Sequence, residues 1–164
     1  MFERLPERFD PFEYVDKKRR IRGLLPLAVM DRVGDALSSR QGKVRIELEF
    51  MREGRWAVLS GRVEADLVLR CQCCLENLDW PVRSEVHLGV VRSIDEANLL
   101  PEELEPLLVE AGCRVVLLDL VQDELLLAVP VIPQHRDCKA PGSAMPSHSE
   151  LHPFAVLAQL KNNQ

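Results

Sequence analysis

The sequence predicts an α+β fold: an antiparallel β-meander, a partly closed sheet, covered by an amphipathic helix, with N-terminal helices before it and a C-terminal tail helix after it. Three observations predict this. From Arg62 to Arg70 the even positions are Arg, Glu, Asp, Val and Arg, while Val63, Ala65, Leu67 and Leu69 are apolar. A period of two buries one face of a strand and wets the other. Similar alternation flanks this strand on both sides, so the three segments read as sheet neighbours. Between Leu117 and Val129 the apolar residues recur at helical spacing instead, and an apolar helix face needs an apolar sheet face to cover.

Taken in order, Asp10-Pro11 opens a short helix to about Lys18, because Asp caps well and Pro suits the first helical position. Lys17, Lys18, Arg19, Arg20 and Arg22 follow. Cations interact favourably with a helix C-terminus, so part of this run reads as ordinary solvated surface; the alternative is a patch that contacts RNA phosphates. No aromatic residue interleaves with the run, so base stacking is not suggested there. Pro26 is expected to open a second helix to about Leu37, with Leu27, Met30, Val33 and Leu37 on one face. Val44, Ile46, Leu48 and Phe50 then alternate with Arg45, Glu47, Glu49 and Met51, and Glu53-Gly54 turns this strand into the central one as a hairpin.

Beyond the central strand, Trp80 to Val91 reads as a third strand with Trp80, Val82, Val86, Leu88 and Val90 on one face. Ser93 to Leu100 reads as a short helix or loop, Pro101 to Pro106 as an acidic linker, and Leu107 to Glu110 as a fourth short strand. In the covering helix Leu118, Val121, Leu125 and Ala128 share a face, and Gln122, Asp123 and Glu124 supply most of the wet side. Pro130 ends it, since the residue before a proline avoids helical geometry. Residues 1–138 thus form a single domain, with 1–40 as a basic helical part. Residues 139–164 are a flexible linker rich in Pro, Ser, Gly, Ala and His, followed by a short helix over Phe154 to Lys161.

The chain has 164 residues and a net charge of −5, unevenly placed. Residues 1–45 hold 11 Lys/Arg against 7 Asp/Glu, whereas residues 46–164 hold 10 against 19. A basic N-terminal surface on an acidic body fits local rather than uniform contact with nucleic acid. No apolar run approaches the ~20 residues of a membrane span, and MFERLPERFD lacks the layout of a secretory signal. A cytoplasmic location is therefore expected, where thiols stay reduced; five cysteines are also an odd number for a disulfide framework. Glycine-rich phosphate loops, nucleophile elbows and paired metal-binding histidines are all missing, so the chain does not read as an enzyme and no small-molecule substrate is evident. Glu64 and Asp66 are paired by spacing, but on a wet strand face they read as solvated charge.

Three readings compete for Cys71 and Cys74. As a metal half-site, the spacing lets two thiolates of one turn share a Zn²⁺, with His135 and Cys138 as the supplementary pair. As small apolar residues they would simply pack. As a redox dithiol they would need to open a helix, whereas here they lie between antiparallel strands. Cys73, inside the turn, is expected to face away from its neighbours' site. Cys113 is expected to be buried packing, and His87, His148 and His152 are not expected to be ligands.

Leu69 to Cys74, Leu117 to His135 with Cys138, and Pro153 to Lys161 together resemble the YceD family, a bacterial and plastid group named for accumulation of large-subunit ribosomal RNA. The resemblance implies a non-enzymatic ribosome-biogenesis factor that supports synthesis, processing or stability of large-subunit (23S-type) ribosomal RNA. It implies ribosomal RNA or a large-subunit precursor as partner, and a ribosomal protein as a further one. This chain departs from the family pattern in having Cys73 where Arg is typical. It also keeps only His135 and Cys138 of a segment that is richer in cysteine in some relatives. The alternative from another class is a protein–protein adaptor that binds a ribosomal protein or an RNA-processing enzyme through the acidic body and the Phe154 to Lys161 helix. A cysteine-based redox or metal regulator is the third.

Overall fold

In the computed structural model, which describes residues 5–139, the chain runs through β1 (Arg8–Phe9), α1 (Pro11–Asp16), β2 (Arg20–Pro26), a 3-10 turn (Leu27–Val29), α2 (Asp31–Gly34) and β3 (Leu37–Ser39). It continues through β4 (Lys43–Glu53), β5 (Trp56–Arg70), β6 (Asn77–Val91), α3 (Ile94–Ala97), β7 (Glu105–Leu108), β8 (Val115–Val116) and α4 (Leu117–Ala128). The Phe154 to Lys161 helix, and the linker beyond Lys139, lie outside the described residues.

The three alternating segments do form the meander β4-β5-β6, and its register runs without a slip. Ile46 faces Val63, and Ala65 faces Val82, so Val44, Ile46, Leu48 and Phe50 join Val63, Ala65, Leu67, Leu69, Val82 and Val86 in one core. On the opposite face the same register lines up Arg22, Glu47, Arg62 and Glu85 across four strands. Opposite charges on adjacent strands stabilise a wet sheet face modestly. The sheet is larger than the meander. β2 extends it beside β4, β7 pairs in parallel with β6, and β3 pairs with the far end of β5, giving six strands that are mostly antiparallel. β1 and β8 form a separate small ribbon. Among the described residues no helix is long and apolar enough to cross a membrane.

The N-terminal part departs from the expected helices. α1 is where Asp10-Pro11 placed it, with Asp10 Oδ1 accepting from the N–H groups of Phe12 and Glu13. The Pro26 to Leu37 helix is replaced by the 3-10 turn, the single turn of α2, and β3. Leu27, Met30 and Val33 are wholly buried, but a spacing of three suits tight single turns as well as a long helix. Gly34 is a poor helix former, and the Arg40 guanidinium fills the space its side chain would take. The basic run does not merely trail a helix: Arg20 and Arg22 point outward from edge strand β2 while Ile21 and Gly23 are buried. Charged side chains on an edge strand guard it against pairing with another chain.

α4 seats Leu117, Leu120, Val121 and Leu125 in the core. Leu117 N–H donates to Glu7 O (3.1 Å) at its start, and Trp80 Nε1–H donates to Ala128 O (3.0 Å) at its end. Two residues expected on its wet side are buried, Gln122 at 3% and Glu124 at 9% exposure. Both have partners: Gln122 Oε1 accepts from Arg32 N–H at 3.0 Å, and Glu124 Oε2 accepts from the Ser84 hydroxyl at 3.0 Å. A buried polar group is tolerated when it is so satisfied. Burial pushes the Glu124 carboxyl above its ordinary range; the Ser84 hydrogen bond offsets part of this, and Glu105 and Asp123 add to it.

A folded-state shift upward means that Glu124 favours folding when protonated. This contribution is present below the unfolded value of 4.5 and is lost as pH rises through the folded value. Glu124→Gln keeps an acceptor for Ser84 without the buried charge. It should therefore raise stability at pH 7, by roughly 0.5–2 kcal/mol as other such repairs do, and the gain should shrink as the pH falls toward 4. Urea unfolding across that range checks this; a gain that does not vary with pH would mean that the buried charge is not its source.

Candidate metal centre

The inward alternation of β5 runs on past its last residue to Cys71, which is wholly buried. There the backbone turns. Cys71 N–H donates to Glu76 O (2.9 Å), Leu75 N–H donates back to Cys71 O (3.0 Å), and Leu75 takes φ +64. This tight loop returns the chain to β6 and brings Cys74 beside Cys71. The second half of the site comes from the segment after α4. Pro130 releases it from the helix, Pro133 O accepts Gln72 N–H at 2.8 Å, and Cys138 N–H bonds His135 O at 3.3 Å. The first bond fastens the segment to the cysteine turn, and the second folds His135 and Cys138 toward each other.

The ligand atoms of Cys71, Cys74, His135 and Cys138 consequently lie within 4.8 Å of one another. Cys71 and Cys138 sulfurs are 3.6 Å apart, and Cys74 Sγ is 3.4 Å from His135 Nδ1. Zn–S bonds of ~2.3 Å and Zn–N bonds of ~2.0 Å in a tetrahedron set edges of about 3.8 and 3.5 Å. Those two contacts are close to the edges of such a tetrahedron, and the four atoms are near enough together to hold a Zn²⁺. His135 is further prepared: its Nε2 lies 3.1 Å from Asn77 O. Donation to that carbonyl places the ring proton on Nε2 and leaves Nδ1 free to ligate, the outer-shell arrangement usual for metal-bound histidine.

Burial pushes the Cys71 thiol up, but the backbone N–H groups of Cys74, His135 and Cys73 more than reverse this, and it is lowered to about 5. Cys138 is pushed well above its ordinary value, first by hydrogen bonding with the Cys73 thiol and then by burial. A bound dication would supply the positive charge that lets all three thiols ionise together.

Sequence reasoning missed two contributors. Cys73 stands outside the set of four and contributes through its main chain, its N–H donating to Cys71 Sγ at 3.4 Å. Asn77 acts through a main-chain oxygen, for which sequence carries no signal. Cys113, expected to be buried, is exposed in the turn at Gly112. His87 pairs with Glu53 on the outer sheet face at 3.3 Å. No helix begins at Cys71, the feature on which a redox dithiol would depend.

The basic residues lie in the α1–β2 connection (Lys17, Lys18, Arg19) and on β2 (Arg20, Arg22). Lys17 pairs with Glu13, and Arg20 and Arg22 both reach Glu49, at 3.1 and 3.7 Å. Arg19 lies over the Tyr14 ring, 5.4 Å from its centre. Lys18 ends the α1 turn at φ +47.

Residues 59–161 match a family model described as "Large ribosomal RNA subunit accumulation protein YceD", a span that contains the whole Cys/His cluster. A protein of that same name from Haemophilus influenzae is 28% identical over 168 residues, covering 96% of this chain and 97% of its own. No solved structure matches the chain.

Proposed function

The chain belongs to the YceD family, and from that membership we propose that it is a non-enzymatic cytoplasmic factor that supports synthesis, processing or stability of large-subunit ribosomal RNA. The observation that carries this reading is the family match together with near full-length similarity to a relative named for large ribosomal RNA subunit accumulation. Its partner would be ribosomal RNA or a large-subunit precursor. In this reading Cys71, Cys74, His135 and Cys138 hold a structural Zn²⁺. The four ligands are all protein atoms, with no open position for a reacting water. The metal's part would be to tie the segment after α4 to the β5–β6 turn.

Deletion of the gene should lower mature large-subunit RNA relative to small-subunit RNA, and the wild-type gene in trans should restore the ratio. An unchanged ratio in the deletion strain would overturn the reading.

One observation favours an adaptor reading as the second. Leu127, Val131 and Ile132, at the end of α4 and just beyond it, are 78%, 99% and 68% exposed. Grouped exposed apolar residues are frequent at protein–protein contacts. Co-purification of a ribosomal protein that persists at high salt, and is lost in a Val131→Asp/Ile132→Asp variant, would favour it.

A further inference from the structure

At the end of the sheet opposite the cysteines lies a cleft of about 400 Å³, where the β4–β5 turn, the end of β6 and α1 meet. Its size is within the ~300–1,000 Å³ range of ligand sites. Arg52, Arg55 and Arg92 line it with the rings of Phe12 and Trp56, and with Glu96, whose Oε2 accepts from the Arg92 main-chain N–H at 2.7 Å. The guanidinium of Arg55 lies over Trp56, 4.3 Å from the ring centre, and that of Arg92 lies over Phe12 at 4.5 Å. Arg52 is bonded to Asp16 at 2.8 Å. Among the described residues, neither Arg55 nor Arg92 forms a side-chain ion pair.

This contrasts with the basic run, where Lys17, Arg20 and Arg22 are already engaged by carboxylates of the same surface. In the cleft, two cations that form no side-chain ion pair among the described residues lie over half-buried rings, on a chain of net charge −5. An ordered, planar cation on an aromatic face needs little further ordering to receive an anion, and both rings and guanidinium planes stack on bases. Leu99, 63% exposed, adds an apolar lip.

We propose that the Arg55–Trp56 and Arg92–Phe12 pairs form a binding cleft for single-stranded RNA, with phosphate on the guanidinium groups and a base stacked beside them. A carboxylate-rich peptide would use the charge but not the stacking planes. A duplex keeps its base faces covered, so an unpaired nucleotide fits best. The inference deepens the ribosomal-RNA reading and rests on it for the identity of the partner.

The test uses the full chain and a labelled single-stranded RNA of mixed sequence, about a dozen nucleotides long to match typical single-strand sites. Binding is followed by fluorescence anisotropy across a salt series. Arg55→Gln/Arg92→Gln should weaken binding and reduce the salt slope by about 1.4, from ~0.7 per lost phosphate contact on single strands. Arg55→Lys/Arg92→Lys should keep the slope yet still bind more weakly, because the stacking planes are gone. Trp56→Leu should bind about 5- to 150-fold more weakly, the range for one lost stacked base, with circular dichroism to confirm its fold.

Wild-type affinity and slope in the Gln double variant would overturn the cleft without touching the large-subunit reading. So would a wild-type chain that binds no RNA while the Gln double variant fails to restore large-subunit RNA in the deletion strain; the cleft would then be a protein contact. If the deletion leaves large-subunit RNA unchanged while the Gln variants lose oligonucleotide binding, the cleft stands and the functional reading falls.

Discussion

Replacing Gly61 with alanine is expected to leave the chain unable to hold its native sheet. Gly61 sits in the middle of β5, paired with Leu48 of β4 on one side and Val86 of β6 on the other. A Cβ there would lie 2.0 Å from Glu47 O and 2.9 Å from Leu48 Cα. These are backbone atoms of β4, which cannot rotate aside as a side chain can. The backbone itself, at φ +155, is in a region that only glycine enters readily. Overpacking typically costs about 1–3 kcal/mol, and such backbone strain adds about 1–3 kcal/mol. Relief by moving β4 away would break the β4–β5 ladder, one of the two longest in the sheet. Losses of this size are a large part of a stability that is usually ~5–15 kcal/mol. Gly54→Ala is the matched control: nothing lies within 4 Å of its Cβ, and only φ +58 opposes the change, at about 1–2 kcal/mol. Urea unfolding of both variants checks the order. A Gly61→Ala protein no less stable than Gly54→Ala would mean that β4 yields easily at this point.

The same glycine shows what can be read before a structure is known. The period of two in β4, β5 and β6 was legible because a wet sheet face must be polar at every second residue. Gly61 only interrupts the apolar row, and how close β4 comes is decided by the twist of the sheet rather than by residue type. α4 was legible as a helix and in its buried residues Val121 and Leu125. Gln122 and Glu124 were misread because polar side chains are assumed wet until a partner is known; theirs are Arg32 N–H and the Ser84 hydroxyl, 90 and 40 residues away. In the N-terminal part, Leu27, Met30 and Val33 satisfy a short turn and a long helix equally, and tertiary contact decided. Cys71 and Cys74 announced themselves by spacing at a strand end. His135 and Cys138 joined them only because α4 is long enough to return the chain to that end. The arginine cleft was hidden, since its residues come from α1, the β4–β5 turn and the end of β6.

Cys71→Ser and Cys138→Ser are expected each to empty the metal centre and loosen the segment after α4. Protein purified without chelator should carry about one zinc per chain, the stoichiometry of a closed four-ligand site. Co²⁺ in its place should give the intense thiolate charge-transfer and ligand-field absorption of a tetrahedral site rich in sulfur. Such sites bind Zn²⁺ with about 10–16 kcal/mol of apparent free energy in small domains. Metal held only by the folded chain raises its stability by mass action. Chelation should therefore lower the wild-type thermal midpoint by several degrees or more, and leave the two Ser variants unmoved because they have no metal to lose. Two other cysteines serve as controls. Cys113 is exposed and remote in sequence from every ligand, so Cys113→Ser should match wild type in zinc content and midpoint. Cys73→Ser should keep its zinc, because its thiol is outside the set of four and its N–H to Cys71 Sγ survives the change. The arrangement fails if wild type carries no stoichiometric metal and chelation leaves its midpoint where it was. The four side chains would then be a packed thiol cluster, and the anchor of the segment after α4 would reduce to the Gln72 N–H bond to Pro133 O and the His135 bond to Asn77 O.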